Sequence, residues 1–299
     1  MKKIIVITVK YALVALITAS IMFNANAQKQ PQIQQISLLA PDNVKIDGKI
    51  NEWPNPFLNT KKTAGFLQAY NSSSRVCYTV SNDENNLYFV IRGLGNMVSR
   101  KILSGGLTIT ISHLVDNKRG KAPDNVIITF PTPQHYKIVN PIMGTIANAD
   151  NLEDEDATTN RKRIDSLDAN ANMQLSRALN EIKIIGVKEF PDQAVSVYNT
   201  EGLKAMAGFI GKLPVIEFAI PLKYLNLSVD NSAKFSYNIK INAEQEPKSV
   251  NEDEGPPKAS DHVVLNAPKP HTDASGSYDS FYLFNTTDFW GVYTLAKKP

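Results

Sequence analysis

Arg75-Val76-Cys77-Tyr78-Thr79-Val80, then Ser81-Asn82-Asp83-Glu84-Asn85-Asn86, then Leu87-Tyr88-Phe89-Val90-Ile91: two apolar runs flank a polar hexapeptide. In the first run Val76, Tyr78 and Val80 fall at every second position and so share one face of a strand, with Cys77 and Thr79 on the other. The hexapeptide supplies turn residues, and Leu87 to Ile91 returns as the second strand of a β-hairpin.

The same texture extends outward in both directions. Short β-branched and aromatic segments bounded by Gly, Pro, Asn and Asp occur at Gly65 to Tyr70, Leu107 to Ser112, Asn125 to Phe130, Ile182 to Val187 and Ala194 to Tyr198. They continue at Val215 to Ile220, Phe235 to Ile241, Phe281 to Phe284 and Phe289 to Leu295. So many strands separated by turns predict an all-β chain, either a β-sandwich, immunoglobulin-like or jelly-roll-like in arrangement, or a barrel-like architecture. One stretch departs from period two. Ile164, Leu167, Ala171, Leu175, Ala178 and Ile182 recur every three or four residues after Arg161-Lys162-Arg163, predicting one inserted amphipathic helix that covers part of the sandwich. Asp150 to Asn160 reads as an acidic surface loop. Glu244 to Ser277, with Pro247, Pro256, Pro257, Pro268 and Pro270, reads as a long excursion between strands. A single domain over 40–299 follows, with insertions near 150–181 and 244–277.

The N-terminus carries an address. Met1-Lys2-Lys3, an apolar run from Tyr11 to Phe23 and Asn24-Ala25-Asn26-Ala27 make a signal peptide over 1–27, cleaved before Gln28, with a polar segment over 28–39 leading into the domain. The expected destination is the periplasm, the cell surface or the medium, with no membrane span left after processing, because the apolar run is short for a bilayer; the alternative is an uncleaved N-terminal anchor over Ile4 to Phe23, which would carry Lys10 inside it. Lys2, Lys3 and Lys10 account for the whole excess of 32 Lys+Arg over 29 Asp+Glu. The mature chain is therefore formally neutral and lacks the electrostatic footprint of a nucleic-acid binder. Cys77 is the only cysteine, so no intramolecular disulfide can form.

Catalytic patterns are sparse. His113, His135, His262 and His271 show no paired metal-ligand spacing, and no Gly-x-Ser-x-Gly occurs. Gly93-Leu94-Gly95-Asn96-Met97-Val98 imitates a dinucleotide fingerprint but lacks the third glycine and a βαβ continuation. Asp47, in Ile46-Asp47-Gly48, reads as a turn residue, and Cys77 as a buried small hydrophobe. Glu217 interrupts an apolar strand, where it is either exposed or satisfied by a cross-strand donor. A glycosidase would need two carboxylates at a defined separation, which a sequence does not supply. No cofactor is predicted. The acidic run Asp150, Glu153, Asp154, Glu155 and Asp156 offers calcium its hard oxygen ligands, yet without the spaced Asp/Asn-Gly loop it reads first as a solvated charge run. Aromatics remain: Trp53 follows a turn and Trp290 opens the last strand, each a core anchor or a platform for a sugar ring.

Four pieces in order resemble the family 9 carbohydrate-binding fold, the CBM9-like or DOMON-like group of exported β-sandwiches. They are Val44-Lys45-Ile46-Asp47-Gly48-Lys49-Ile50-Asn51-Glu52-Trp53, the passage from Asp83 to Ile91, Ile216-Glu217-Phe218-Ala219-Ile220-Pro221-Leu222 with Leu225, and Phe289-Trp290-Gly291-Val292-Tyr293. The resemblance implies a β-sandwich that binds either sugar, clamped by aromatic rings, or haem. Met97, Met143, His113 and His135 are the residues from which a haem-binding pair would be drawn. The expectation is an exported, non-catalytic protein that binds carbohydrate or polysaccharide, with Trp290, Trp53, Tyr70 and Tyr278 as candidate ligand-binding residues. The alternatives are a protein-interaction scaffold without sugar binding, and a haem redox protein or glycoside hydrolase. Nothing in the sequence fixes the oligomeric state.

Overall fold

The computed structural model describes residues 30–53, 69–147, 156–231, 233–244 and 281–298. The predicted signal peptide, the Gly65–Gln68 part of the first predicted strand, His262, His271, Tyr278 and nearly all of the predicted 244–277 excursion lie outside them. So does the acidic run up to Glu155.

Among the described residues, eleven strands form two antiparallel sheets. The first has order β1-β2-β3-β9-β8: Ala69–Asn71, Val76–Asn82, Asn86–Gly93, Leu213–Pro221 and Lys204–Ile210. The second has order β11-β10-β4-β5-β6-β7: Thr287–Tyr293, Phe235–Ile241, Leu107–Ser112, Val126–Thr129, Glu181–Ile185 and Ala194–Ser196. Their inner faces share one core. Tyr78 and Phe89 of the first sheet meet Tyr237 of the second edge-on, and the Tyr78 and Tyr237 hydroxyls lie 3.1 Å apart. This is a sandwich-like arrangement, as the alternation in β2, β4 and β10 predicts.

Among the described residues, three helices of ten residues or more stand where one was expected: α1 over Asn96–Gly105, α2 over Tyr136–Ala147 and α3 over Ala157–Ala178. The predicted stripe does serve α3, whose Ala171 and Leu175 are buried, but the helix starts at the N-cap Asp156, where the sequence suggested a loop. The Asp156 carboxylate accepts from the N–H groups of Thr158 (2.8 Å) and Thr159 (3.0 Å), and the Thr159 hydroxyl helps to hold its pKa below the usual range. Further along, α3 docks on the edge strand β8. Asn172 Oδ1 accepts from Phe209 N at 2.6 Å and its Nδ2 donates to Phe209 O at 3.1 Å, so the amide stands in for a neighbouring strand. Asp168 accepts from Gly211 N and Lys212 N in the two-residue β8–β9 turn, where both residues have positive φ. Phe281 to Phe284 is helical rather than extended, with Tyr282 turned in and its hydroxyl donating to Ser74 O.

The two outer faces differ. The first sheet is apolar on its outer side as well, and residues 40–53 lie over it: Ile50 and Trp53 join Tyr88, Val90, Val215 and Ala219 in a second buried cluster. The outer side of the second sheet carries Thr108, Thr110, Thr129, Asn238 and Lys240.

Candidate binding site

Trp53 is not a platform. It is 5% exposed, stacks edge-on against Tyr88 and donates its indole N–H to Glu217 Oε1 at 3.2 Å. Glu217 Oε2 accepts from Gly48 N at 2.9 Å and Asp47 N at 3.3 Å. The glutamate is thus satisfied by the Asp47-Gly48 turn and Trp53 rather than by a cross-strand donor. Burial pushes its pKa up to about 7 against the pull of those N–H groups. Asp47 itself accepts from Lys49 N at 2.9 Å, as a turn residue does. The two carboxylates most prominent in the motifs are therefore committed to structure. Cys77 is buried, and desolvation lifts its thiol to about 11 against the opposing charge of Arg92.

Trp290 has a different setting. It is half-buried, on β11, the edge strand of this sheet among the described residues, with the Arg119 guanidinium 4.9 Å above its ring. A groove of about 350 Å³ runs along this edge between β11 and residues 33–37. The chain before Ala40 builds the far wall by tying both sheets together. Gln34 Nε2 donates to Val80 O and Gln34 Oε1 accepts from Val80 N, both at 2.8 Å. Leu38 O accepts from Asn82 N (3.1 Å), while Ser37 Oγ donates to Thr294 O at 2.6 Å and Leu38 N donates to Tyr293 Oη at 3.0 Å. What reads in the sequence as a polar lead-in is thereby pinned across the open side of the sandwich. It leaves Gln35, Ile36 and Ser37 exposed opposite Trp290 and Val292, with the exposed Lys234 also lining the groove.

The chain matches no family model, no curated protein and no solved structure.

Among the described residues, none of the other candidates lies at this groove. Tyr70 is half-buried on β1 in the opposite sheet, its N–H donating to Pro31 O, and Tyr278 lies outside the described residues. Met97 and Met143 pack against the main core, whereas His113 and His135 are exposed, His135 against the ring of Tyr136. Among the described residues no group of three or more His, Cys, Asp or Glu could hold a metal ion. No helix among them is long and apolar enough to cross a membrane. One titratable group escaped the sequence reading altogether. Lys101 of α1 is fully buried, its Nζ 4.1 Å from the Tyr282 ring centre and 3.0 Å from Thr287 Oγ1. Burial and the nearby Arg75 bring its pKa down to about 8. The groove residues Gln35 and Lys234 escaped too, as did Arg119 over the Trp290 ring, because their placement depends on how the N-terminal segment and the β4–β5 connection fold back on β11.

Proposed function

We propose that the protein is an exported, non-catalytic carbohydrate-binding protein of the CBM9-like or DOMON-like kind, which holds a sugar in the β11-edge groove against Trp290. The observation that carries this reading is the contrast between the two tryptophans. Trp53 is consumed by the second buried cluster, while Trp290 is a partly exposed ring in a groove with amide, hydroxyl and ammonium groups around it. A sugar presents an apolar C–H face to a flat ring and hydroxyls to such polar groups. The resemblance supports the same conclusion, since the Val44–Trp53 motif and the strand motif around Glu217 meet in one hydrogen-bonded cluster. The commitment of Asp47 and Glu217 to that cluster favours binding over glycoside hydrolysis.

The test is a glycan array and polysaccharide pull-down on the protein, with and without calcium, repeated with Trp290→Ala. Retention on a polysaccharide that Trp290→Ala abolishes, while the variant's circular dichroism stays that of the wild type, is the expected result. Equal retention by a folded Trp290→Ala would remove the groove from the reading, and no retention by the wild type would remove sugar binding.

A further inference from the structure

A second groove, of about 460 Å³, lies at the opposite edge of the six-stranded sheet, lined by Asn180, Glu181, Ala194, Val195, Ser196 and Tyr198. Tyr198 is 72% exposed, more than any other large apolar or aromatic side chain described. Its backbone is nonetheless fixed. Tyr198 N donates to Ser196 Oγ at 3.1 Å, Val197 N to Asn180 O at 3.0 Å and Asn199 N to Ser196 O at 3.1 Å. A tyrosine displayed on a fixed turn presents a wide ring at low entropic cost on binding. Below it Ala194 and Ser196 make a floor of small residues, and Asn180 and Glu181 offer donors and acceptors. That combination suits the apolar face and hydroxyl rim of a sugar. The charges on this side are mixed, Glu181 paired with Ser196 and Lys183 paired with Ala194, so neither an acidic nor a basic sugar is favoured and the ligand class is neutral.

Register relates this groove to the first. Pairing runs from Ala194 through Lys183, Thr129, Thr108 and Lys240 to Asp288. Residues paired in this way point to the same side of a sheet. Ala194 and Ser196 therefore face the same way as Asp288, Trp290 and Val292. Five strand spacings of about 4.8 Å separate the two edges, roughly 24 Å. We propose that the Tyr198 groove is a second contact for the same ligand, so that the protein grips one extended, neutral polysaccharide chain at both edges of this sheet. The inference rests on the reading of the Trp290 groove as a sugar site.

Wild type, Tyr198→Ala and Trp290→Ala would be compared by affinity electrophoresis in gels containing xylan, mixed-linkage β-glucan or galactomannan. Calorimetry with the disaccharides and trisaccharides of the retained polymer completes the set. The expected result is polymer binding weakened at least tenfold in Tyr198→Ala, with trisaccharide binding and thermal midpoint unchanged, because a short ligand engages the Trp290 groove alone. Polymer binding by Tyr198→Ala equal to wild type, while Trp290→Ala loses it, would overturn the second contact and leave the first standing. Equal weakening for trisaccharide and polymer would overturn bridging. No retention of any neutral polymer by the wild type would overturn this inference together with the reading on which it rests.

Discussion

Replacing Glu217 by Gln should change how stability depends on pH, and the sign can be worked from its surroundings. The side chain is fully buried, and its pKa rises from 4.5 to about 7 because desolvation outweighs the N–H groups of Gly48 and Trp53. Below about pH 4.5 the carboxyl is protonated in both the folded and the unfolded chain, so its contribution is constant. Between about 4.5 and about 7 the folded protein keeps a proton that the unfolded chain has released, and stability falls as pH rises. Above about 7 both are ionised and the loss is complete. At about 1.4 kcal/mol per pH unit, the loss across this window is about 3 kcal/mol. Glu217→Gln keeps the length of the side chain and removes the titration. It begins less stable at low pH, by about 1–3 kcal/mol, because its NH2 must face either the Trp53 indole N–H or the Gly48 N–H. Urea unfolding followed by tryptophan fluorescence from about pH 4 to about pH 8 would measure both slopes. The wild type should lose about 3 kcal/mol more than the variant over the window. Parallel pH profiles would show that Glu217 does not titrate there, and that its N–H donors outweigh burial.

Two further outcomes follow from close contacts. A methyl group at Gly291 would overlap the Tyr237 phenol, so Gly291→Ala should cost about 1–3 kcal/mol, and an unchanged thermal midpoint would contradict the packing described. Asn172→Ala should cost about 2 kcal/mol by unpairing the Phe209 backbone. Faster hydrogen exchange at the Phe209 amide is the local signature, and exchange at the wild-type rate would mean that α3 does not seal the β8 edge.

How legible the fold was depended on whether alternation was clean. Leu107–Ser112 and Phe235–Ile241 appear in the structure with the bounds read from the sequence, because each alternates apolar and polar residues between turn signals. β8, Lys204–Ile210, was missed: Lys-Ala-Met-Ala-Gly-Phe-Ile has one β-branched residue and two alanines, and its strand state is imposed by β9 on one side and Asn172 on the other. α1 was hidden by the glycines before it, which drew attention to a phosphate-loop imitation and away from Val98 and Ile102 one turn apart. α2 was hidden by Pro141, which argues against a helix interior although Val139, Ile142 and Ile146 keep helical spacing. Phe281 to Phe284 shows the opposite error, four residues with strand-like composition forming a helical turn. The Trp290 groove was half legible. The ring stood out, but the wall opposite is a polar segment whose position is set by Gln34 inserting its amide beside Val80, 46 residues further along the chain.

The roles of the two tryptophans can be argued from the alternation of the sheets beneath them. In Leu87-Tyr88-Phe89-Val90-Ile91 and Val215-Ile216-Glu217-Phe218-Ala219-Ile220 both alternating sets are largely apolar. Such strands are buried on both faces and need a cover, as continuous apolar runs do. Trp53 belongs to that cover, and Glu217 gives its indole N–H a buried acceptor, so an aromatic there is part of the fold. In Leu107-Thr108-Ile109-Thr110-Ile111-Ser112 and Phe235-Ser236-Tyr237-Asn238-Ile239-Lys240 the alternation is strict, and the outer face carries hydroxyls, amides and an ammonium group, of which Thr108, Ser112, Ser236 and Asn238 are buried. Trp290 projects on that face, paired across the ladder with Asn238. The Trp290 ring belongs to neither buried apolar cluster, and the part of it that Arg119 and its neighbours leave exposed is available to a ligand with one apolar side. The same reasoning extends to Tyr198, whose neighbours Ala194 and Ser196 share that face. The polar outer face, more than the count of aromatics, is what singles out these two rings as the proposed sugar contacts.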